Sequence, residues 1–138
     1  MSARRVAFRF GLTGRSWGGG GPIVLLVRGR EREPGVFTQV ITPLVASGRQ
    51  VVELDDPTTP APDDVRIAEL AAAIGEVAVE LRGLDAIAGH GLGAAATALA
   101  LTQGLAVDRV VLMGSGAQLA PQDVVDSLTG REKLRLAA

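Results

Sequence analysis

The sequence predicts a single α/β domain in which a mostly parallel sheet is covered by helices on both faces. Strand-like and helix-like segments alternate along the 138 residues, and no linker or fixed-period repeat interrupts them. This alternation is typical of parallel sheets, because a parallel connection needs a crossover helix. Several strand segments are continuous apolar runs, such as residues 23–27, which indicates burial on both faces. We therefore expect one three-layer domain over residues 1–138.

The composition excludes several kinds of site. The chain has no cysteine and one histidine, which excludes disulfides, thiol nucleophiles and Cys- or His-rich metal sites. A net charge of -1 argues against nucleic-acid binding. We expect no cofactor and no metal. No apolar run has the length of a membrane span, and no apolar segment follows Arg4 and Arg5 as a signal peptide requires, so we expect a cytoplasmic protein.

The first half of the chain contains the predicted edge of the sheet and its first buried strands. Apolar and polar residues alternate near the N-terminus, and four consecutive glycines follow. The predicted elements are an edge strand over residues 6–12, a glycine-rich turn over 13–21, a buried strand over 23–27, a helix over 36–47 and a buried strand over 50–54. Pro43 falls inside that helix, so we expect a kink or a late start.

The second half repeats the strand–helix pattern. Its predicted elements are a helix from residue 63 or 64 to about 82, a strand from 84, a helix over 93–103, a strand over 109–113, a helix over 122–128 and a tail over 130–138. The tail is short and charged, and we expect it to fray. The strand Arg109–Met113 would then be a bare sheet edge, which invites pairing with another chain. We predict a homodimer or a partner chain there.

The most informative stretch is Gly89-His90-Gly91-Leu92-Gly93, where an apolar strand turns sharply into an alanine-rich helix. A glycine–x–nucleophile–x–glycine turn of this shape is a nucleophile elbow, which normally carries serine at its centre. Gly91 occupies that central position. Glycine offers neither oxygen nor sulfur, so covalent catalysis at this turn is excluded.

Four segments in order resemble the N-terminal half of the α/β-hydrolase superfamily, as in small esterases and lactonases. They are residues 22–29 (PIVLLVRG), the helix after them, 51–57 (VVELDDP) and 88–94 (AGHGLGA). The resemblance covers residues 6–116 and implies that the Ile23 strand lies between the Gln50 and Leu84 strands. Three departures stand out: Gly91 replaces the nucleophile, Arg28-Gly29 replaces the common His-Gly, and no histidine follows His90 to act as the base.

The resemblance also implies an oxyanion hole formed by the backbone N–H groups of Leu92 and Arg30. Backbone donors do not depend on the side chain at Gly91, and the following helix directs its N-terminal dipole to the same place. With the charge of Arg28 and Arg30, these groups predict a small anion or carboxylate site. The alternative is that both arginines are ordinary solvated residues paired with neighbouring glutamates.

Other polar residues have ordinary interpretations beside the functional ones. His90 is either a packed structural histidine or a general base. Ser115 is a loop serine rather than a nucleophile, because no helix follows it to form an elbow, and Asp55 and Asp56 are turn-forming carboxylates rather than a metal site. A different hypothesis is dinucleotide binding, because residues 89–94 also satisfy G-x-G-x-x-A. The next strand, however, ends without an acidic residue to bind a ribose.

Three function classes follow from these observations. The leading hypothesis is a catalytically silent α/β-hydrolase-like protein with a binding, scaffold or regulatory role, whose ligand is a small anion or an ester-like molecule. The second is an enzyme without a triad that stabilises an anionic transition state with backbone donors and His90. The third is a chain derived from a larger esterase, whose function lies in parts not present here.

Overall fold

The computed structural model describes residues 2–29, 37–117 and 119–137. The strands are β1 (Arg4–Ala7), β2 (Thr13–Trp17), β3 (Ile23–Val27), β4 (Gln50–Leu54), β5 (Leu84–His90), β6 (Val107–Met113) and β7 (Leu134–Ala137). The helices are α1 (Thr38–Ala46), α2 (Asp63–Glu80), α3 (Leu92–Thr102) and α4 (Pro121–Thr129). The predicted helices are thus present with ends within about two residues, and α1 accommodates Pro43.

The strands form one seven-stranded sheet in the order β1-β2-β4-β3-β5-β6-β7. The β1–β2 and β2–β4 pairs are antiparallel, and every pair from β4 to β7 is parallel. The expected placement of β3 between β4 and β5 is confirmed. The three-layer, mostly parallel α/β fold is confirmed with it.

Two apolar layers hold the helices on the sheet. The α2/α3 face includes Leu25 and Val27 of β3, whereas the α1/α4 face includes Val24 and Leu26 of the same strand. Successive side chains of a strand point to opposite faces. A strand covered on both faces must therefore be apolar at every position, which explains the continuous run in β3.

The N-terminal region differs from its prediction. The edge strand is residues 4–7 rather than 6–12, a short 3₁₀ turn follows at Arg9–Gly11, and residues 13–17, predicted as a turn, form β2. Few β2 residues are apolar, so periodicity gave no signal for it. Its partners explain its composition instead. A Cβ at Gly14 would lie 2.4 Å from the Glu53 carbonyl oxygen, and Trp17 is buried in the α1/α4 layer with Arg15 stacked over its ring, 5.5 Å from the centroid.

The C-terminal tail also differs from its prediction. Residues 134–137 do not fray but pair with β6 in parallel, from Val110 opposite Leu134 to Met113 opposite Ala137. The prediction that Arg109–Met113 is a bare edge is therefore wrong. The hydrogen-bonding groups of β6 are used by β7, which is the outermost of the described strands on this side.

The crossover that leads to β7 has an unusual hand. The β4-α2-β5 and β5-α3-β6 crossovers lead toward the β7 side of the sheet, and their helices lie on the α2/α3 face. The β3-α1-β4 crossover leads in the opposite direction, and its helix lies on the α1/α4 face. These three share one hand, the right-handed one that parallel connections take in nearly all cases. The β6-α4-β7 crossover also moves toward the β7 edge, but α4 packs on α1 and the α1/α4 layer. It is therefore left-handed, and none of the described helices covers the α2/α3 face of β7.

Candidate functional site at the glycine turn

The glycine turn lies where the direction of winding reverses. From β3 the chain goes to β4 on one side, and β5 then lies on the other side of β3. Open α/β sheets bind their ligands at such a point, beyond the carboxyl ends of the strands. Arg28 follows β3, and the turn at residues 89–93 follows β5. The topology thus brings together two of the segments that the sequence singled out.

Gly91 has the backbone conformation of a sharp strand-to-helix turn. Its φ is 59° and its ψ is -123°, a region that is strained for any residue with a side chain. Its N–H donates to the Met113 carbonyl oxygen at 2.8 Å, and its own carbonyl accepts from the N–H groups of Ala94 and Ala95 at 3.0 and 3.2 Å. Hydrogen bonds to β6 and α3 therefore hold the turn on both sides.

Gly89 and Gly93 are required by close packing rather than by their dihedral angles. A Cβ at Gly93 would lie 2.3 Å from the Val27 carbonyl oxygen, and a Cβ at Gly89 would lie 2.6 Å from the Gly93 carbonyl oxygen. No real Cβ approaches backbone oxygen so closely. The start of α3 is thus pressed against the carboxyl ends of β3 and β5, which is the arrangement of a nucleophile elbow.

The donors at this turn come from the backbone. Leu92 is the first residue of α3, and the first N–H groups of a helix have no acceptor within it. Among the described residues, no backbone carbonyl accepts the Leu92 N–H. Arg30, the second predicted donor, lies outside the described residues.

Arg28 is engaged in an ion pair that its sequence context did not suggest. Its Nε lies 3.6 Å from Oε2 of Glu53, and Nη2 of Arg15 lies 2.6 Å from the other oxygen, Oε1. Glu53 is almost fully buried on β4. The neighbouring glutamates proposed as partners for Arg28 lie outside the described residues. The available signal for this trio of Arg15, Glu53 and Arg28 was a lone carboxylate inside the apolar run 50–54. The trio has a formal charge of +1, because two arginines share one glutamate.

The remaining predicted residues lie around the same edge of the sheet. His90 is the last residue of β5 and is buried, and Ser115 lies in an exposed turn after β6. Asp55 accepts a hydrogen bond from the Thr13 hydroxyl at 2.8 Å. Asp56 accepts from the N–H and hydroxyl of Thr58. Both aspartates are thus used in holding loops.

Arg66 is a buried residue of this region that sequence reasoning missed. It lies in the first part of α2, and its Nη2 donates to Asp56 at 2.8 Å while its Nε donates to the Thr58 hydroxyl at 2.9 Å. Its position on the apolar face of α2 was the available signal, because arginine is rarely buried without a partner. The pair fixes the loop between β4 and α2.

Two searches of the described residues were negative. No group of three histidine, aspartate or glutamate side chains in residues 2–29, 37–117 and 119–137 has an arrangement that would hold a metal ion. Within the same residues, no helix combines the length and the apolar character needed to cross a membrane.

Comparison with known proteins identifies the architecture. No family model matches this sequence, and no curated protein matches it. The thioesterase domain from the curacin biosynthetic pathway superposes with a TM-score of 0.64 at 24% identity, covering 82% of this chain and 46% of that one. Epoxide hydrolase VrEH1 from Vigna radiata superposes with a TM-score of 0.64 at 21% identity, covering 94% of this chain and 47% of that one.

This chain has an α/β-hydrolase-like fold. Epoxide hydrolase A from Mycobacterium thermoresistibile agrees, with a TM-score of 0.63 at 23% identity over 94% of this chain and 45% of that one. The resemblance noted in the sequence is thereby confirmed for the fold. The chain spans less than half the length of each of these three solved structures.

Proposed function

We propose that this α/β-hydrolase-like chain is catalytically silent and binds a small anionic or ester-like ligand at its glycine turn. One observation carries the proposal: the turn has the conformation of a nucleophile elbow, with φ 59° and ψ -123°, but glycine stands at its centre. The position that would carry a nucleophile carries no side chain. The backbone donors beside it are unaffected by that replacement.

The chemistry available at the turn supports the proposal that the chain is catalytically silent. Acyl transfer through an elbow needs an oxygen or sulfur nucleophile and a base that removes its proton. Gly91 supplies no nucleophile, the chain has no cysteine, and its one histidine is His90. His90 ends β5 in a buried position directly before the turn, where it serves to pack the elbow.

The electrostatics of the turn support the proposal that it binds a small anionic or ester-like ligand. The N–H groups that begin α3 point out of the helix end, where the helix dipole favours a negative charge. The turn lies at the carboxyl ends of β3 and β5, the place where ligands bind in sheets of this kind. The Arg15–Glu53–Arg28 trio adds a net positive charge at the end of the neighbouring strands.

The test separates the Leu92 N–H from its side chain. Proline is tolerated at the first position of a helix and removes only the N–H donor there, so Leu92→Pro deletes the donor and Leu92→Ala keeps it. We expect butyrate to shift the amide resonances of Gly93 and Ala94 in the wild-type protein and in Leu92→Ala. In Leu92→Pro the butyrate affinity should fall by about tenfold, the effect of one hydrogen bond to a charged group.

Other outcomes would overturn the proposal in distinguishable ways. Equal butyrate affinity in both variants would remove the Leu92 N–H from the site. Turnover of an activated ester by the wild-type protein, lost in His90→Ala with its fold intact, would show an enzyme that works without a triad. Binding of NADH with shifts confined to residues 89–94 would instead favour the dinucleotide hypothesis.

A further inference from the structure

Arg28 carries a guanidinium group that is held in place without a hydrogen bond. Its Nε lies 3.6 Å from Oε2 of Glu53, which is close enough for an ion pair but too long for a hydrogen bond. Among the described residues, no atom accepts a hydrogen bond from this guanidinium. The side chain is 30% exposed, so its N–H donors are accessible from solvent.

The charge of Arg28 is only partly compensated, because Arg15 is the closer partner of Glu53. Nη2 of Arg15 donates to Oε1 of Glu53 at 2.6 Å, which is a charge-assisted hydrogen bond. Arg15 also stacks over the ring of Trp17, 5.5 Å from its centroid. The single negative charge is thus bound mainly by Arg15, and the surplus positive charge of the trio lies on Arg28.

The backbone of Arg28 is in direct contact with the glycine turn. A Cβ at Gly93 would lie 3.0 Å from the carbonyl carbon of Arg28, so the residue that follows β3 touches the start of α3. Leu92, whose N–H has no acceptor among the described backbone carbonyls, directly precedes Gly93. The partly compensated cation and the free backbone donor therefore belong to two segments in contact.

From these observations we propose that Arg28 selects the charge of the ligand at the glycine turn, by binding a carboxylate group through its Nη1 and Nη2 atoms. The ligand is then a carboxylate and not a neutral ester. This inference rests on the function proposed above and specifies the class of molecule that the site takes.

The planar geometry of the guanidinium group explains this choice. A guanidinium group presents parallel pairs of N–H donors along its edges, and each pair matches the two oxygens of a carboxylate. The Nε edge of Arg28 is directed at Glu53, which leaves the edge between Nη1 and Nη2. A neutral ester lacks both the charge and the second equivalent oxygen, so it gains little from this edge. Partial burial also limits the screening of the interaction by salt.

Titration with a charged ligand and its neutral analogue tests the inference. We expect the wild-type protein to bind butyrate more tightly than butyramide. In Arg28→Gln the butyrate affinity should fall by about tenfold or more, because a bidentate contact to a charged group is lost, whereas the butyramide affinity should stay the same. Arg82→Gln is the matched control, since it removes one positive charge from an exposed residue before β5, at the other end of that strand. Its butyrate affinity should equal that of the wild type.

A second variant separates the shape of the guanidinium from its charge. Arg28→Lys keeps a positive charge beside Glu53 but loses the planar pair of donors, so we expect a loss of butyrate affinity of about threefold or more. Wild-type affinity in Arg28→Lys would overturn the bidentate contact. The amide spectrum of each variant shows that the fold is kept.

The remaining outcomes distinguish this inference from the function on which it rests. Equal butyrate affinity in Arg28→Gln and the wild type, with weaker binding in Leu92→Pro, would overturn the role of Arg28 and leave the function of the turn intact. Butyramide binding as tight as butyrate binding would overturn the selection of a carboxylate. A wild-type protein that binds neither molecule would overturn the proposed function and this inference together.

Discussion

Gly89, Gly91 and Gly93 alternate along one turn, but the turn needs them for different physical reasons. Gly91 has a positive φ, which makes a side chain there costly by about 1–3 kcal/mol. Gly89 and Gly93 instead leave room for backbone that would collide with a Cβ. The spacing of the glycines was visible in the sequence. The sequence did not show which glycine is needed for its positive φ and which for close packing. That difference depends on how closely α3 approaches β3, which is a property of the fold.

Substituting two helical glycines separates these roles. Gly93→Ala places a Cβ 2.3 Å from the Val27 carbonyl oxygen, so α3 must move, and we expect the free energy of unfolding to fall by about 1–3 kcal/mol. Gly75→Ala is the matched control in α2, where nothing lies within 4 Å of the added methyl group. That variant should gain about 0.5–1 kcal/mol from helix propensity. Urea unfolding of both proteins measures the difference, and equal stabilities would contradict the close packing of the elbow.

At the scale of elements, Glu53 connects three strands. It lies on β4, and its two carboxylate oxygens are contacted by Arg15 of β2 and Arg28 after β3. The carboxylate is almost fully buried, whereas both arginines are partly exposed. A buried carboxylate is tolerated because it is paired, and removing its charge leaves the arginines without a partner.

Glu53→Gln tests the importance of this trio. The amide keeps the shape of the side chain but not its charge, so we expect the free energy of unfolding to fall by about 1–3 kcal/mol. The comparison is Glu132→Gln, whose ion pair with Arg135 is exposed and 3.9 Å long; this change should cost less than about 0.5 kcal/mol. Chemical unfolding at low protein concentration gives both values. A smaller loss in Glu53→Gln than in Glu132→Gln would show that the trio does not stabilise the sheet.

The elements that were predicted from the sequence have a strong hydrophobic pattern, and the elements that were missed are the strands β2 and β7. β3, β4, β5 and β6 are apolar enough to be found by their runs, and α2 by its apolar face. Strand β2 was missed because its side chains include glycine, arginine and serine, and β7 was missed because Leu-Arg-Leu-Ala is too short for alternation to be distinctive. Both depend on pairing with a neighbouring strand, which is a property of the sheet rather than of the segment.

For the whole molecule, the central position of β3 followed from the resemblance, but the hand of the last crossover did not. The resemblance to α/β-hydrolases predicted β3 between β4 and β5. Nothing in residues 121–129 indicates which face α4 covers, because its apolar residues suit either layer. The side that α4 takes determines which face of β7 is left uncovered by the described helices.

The glycine turn keeps the backbone conformation of a nucleophile elbow and lacks the nucleophile. The most direct measurement is stopped-flow mixing of p-nitrophenyl acetate with the wild-type protein and with Gly91→Ser, followed by the mass of the peptide that contains residues 84–102. We predict slow release of p-nitrophenol without a burst in both proteins, and no acetyl group on that peptide. A burst equal to the protein concentration in the wild-type protein, with the peptide acetylated, would contradict the silent elbow. A burst in Gly91→Ser alone would show that a base lies within reach of the turn.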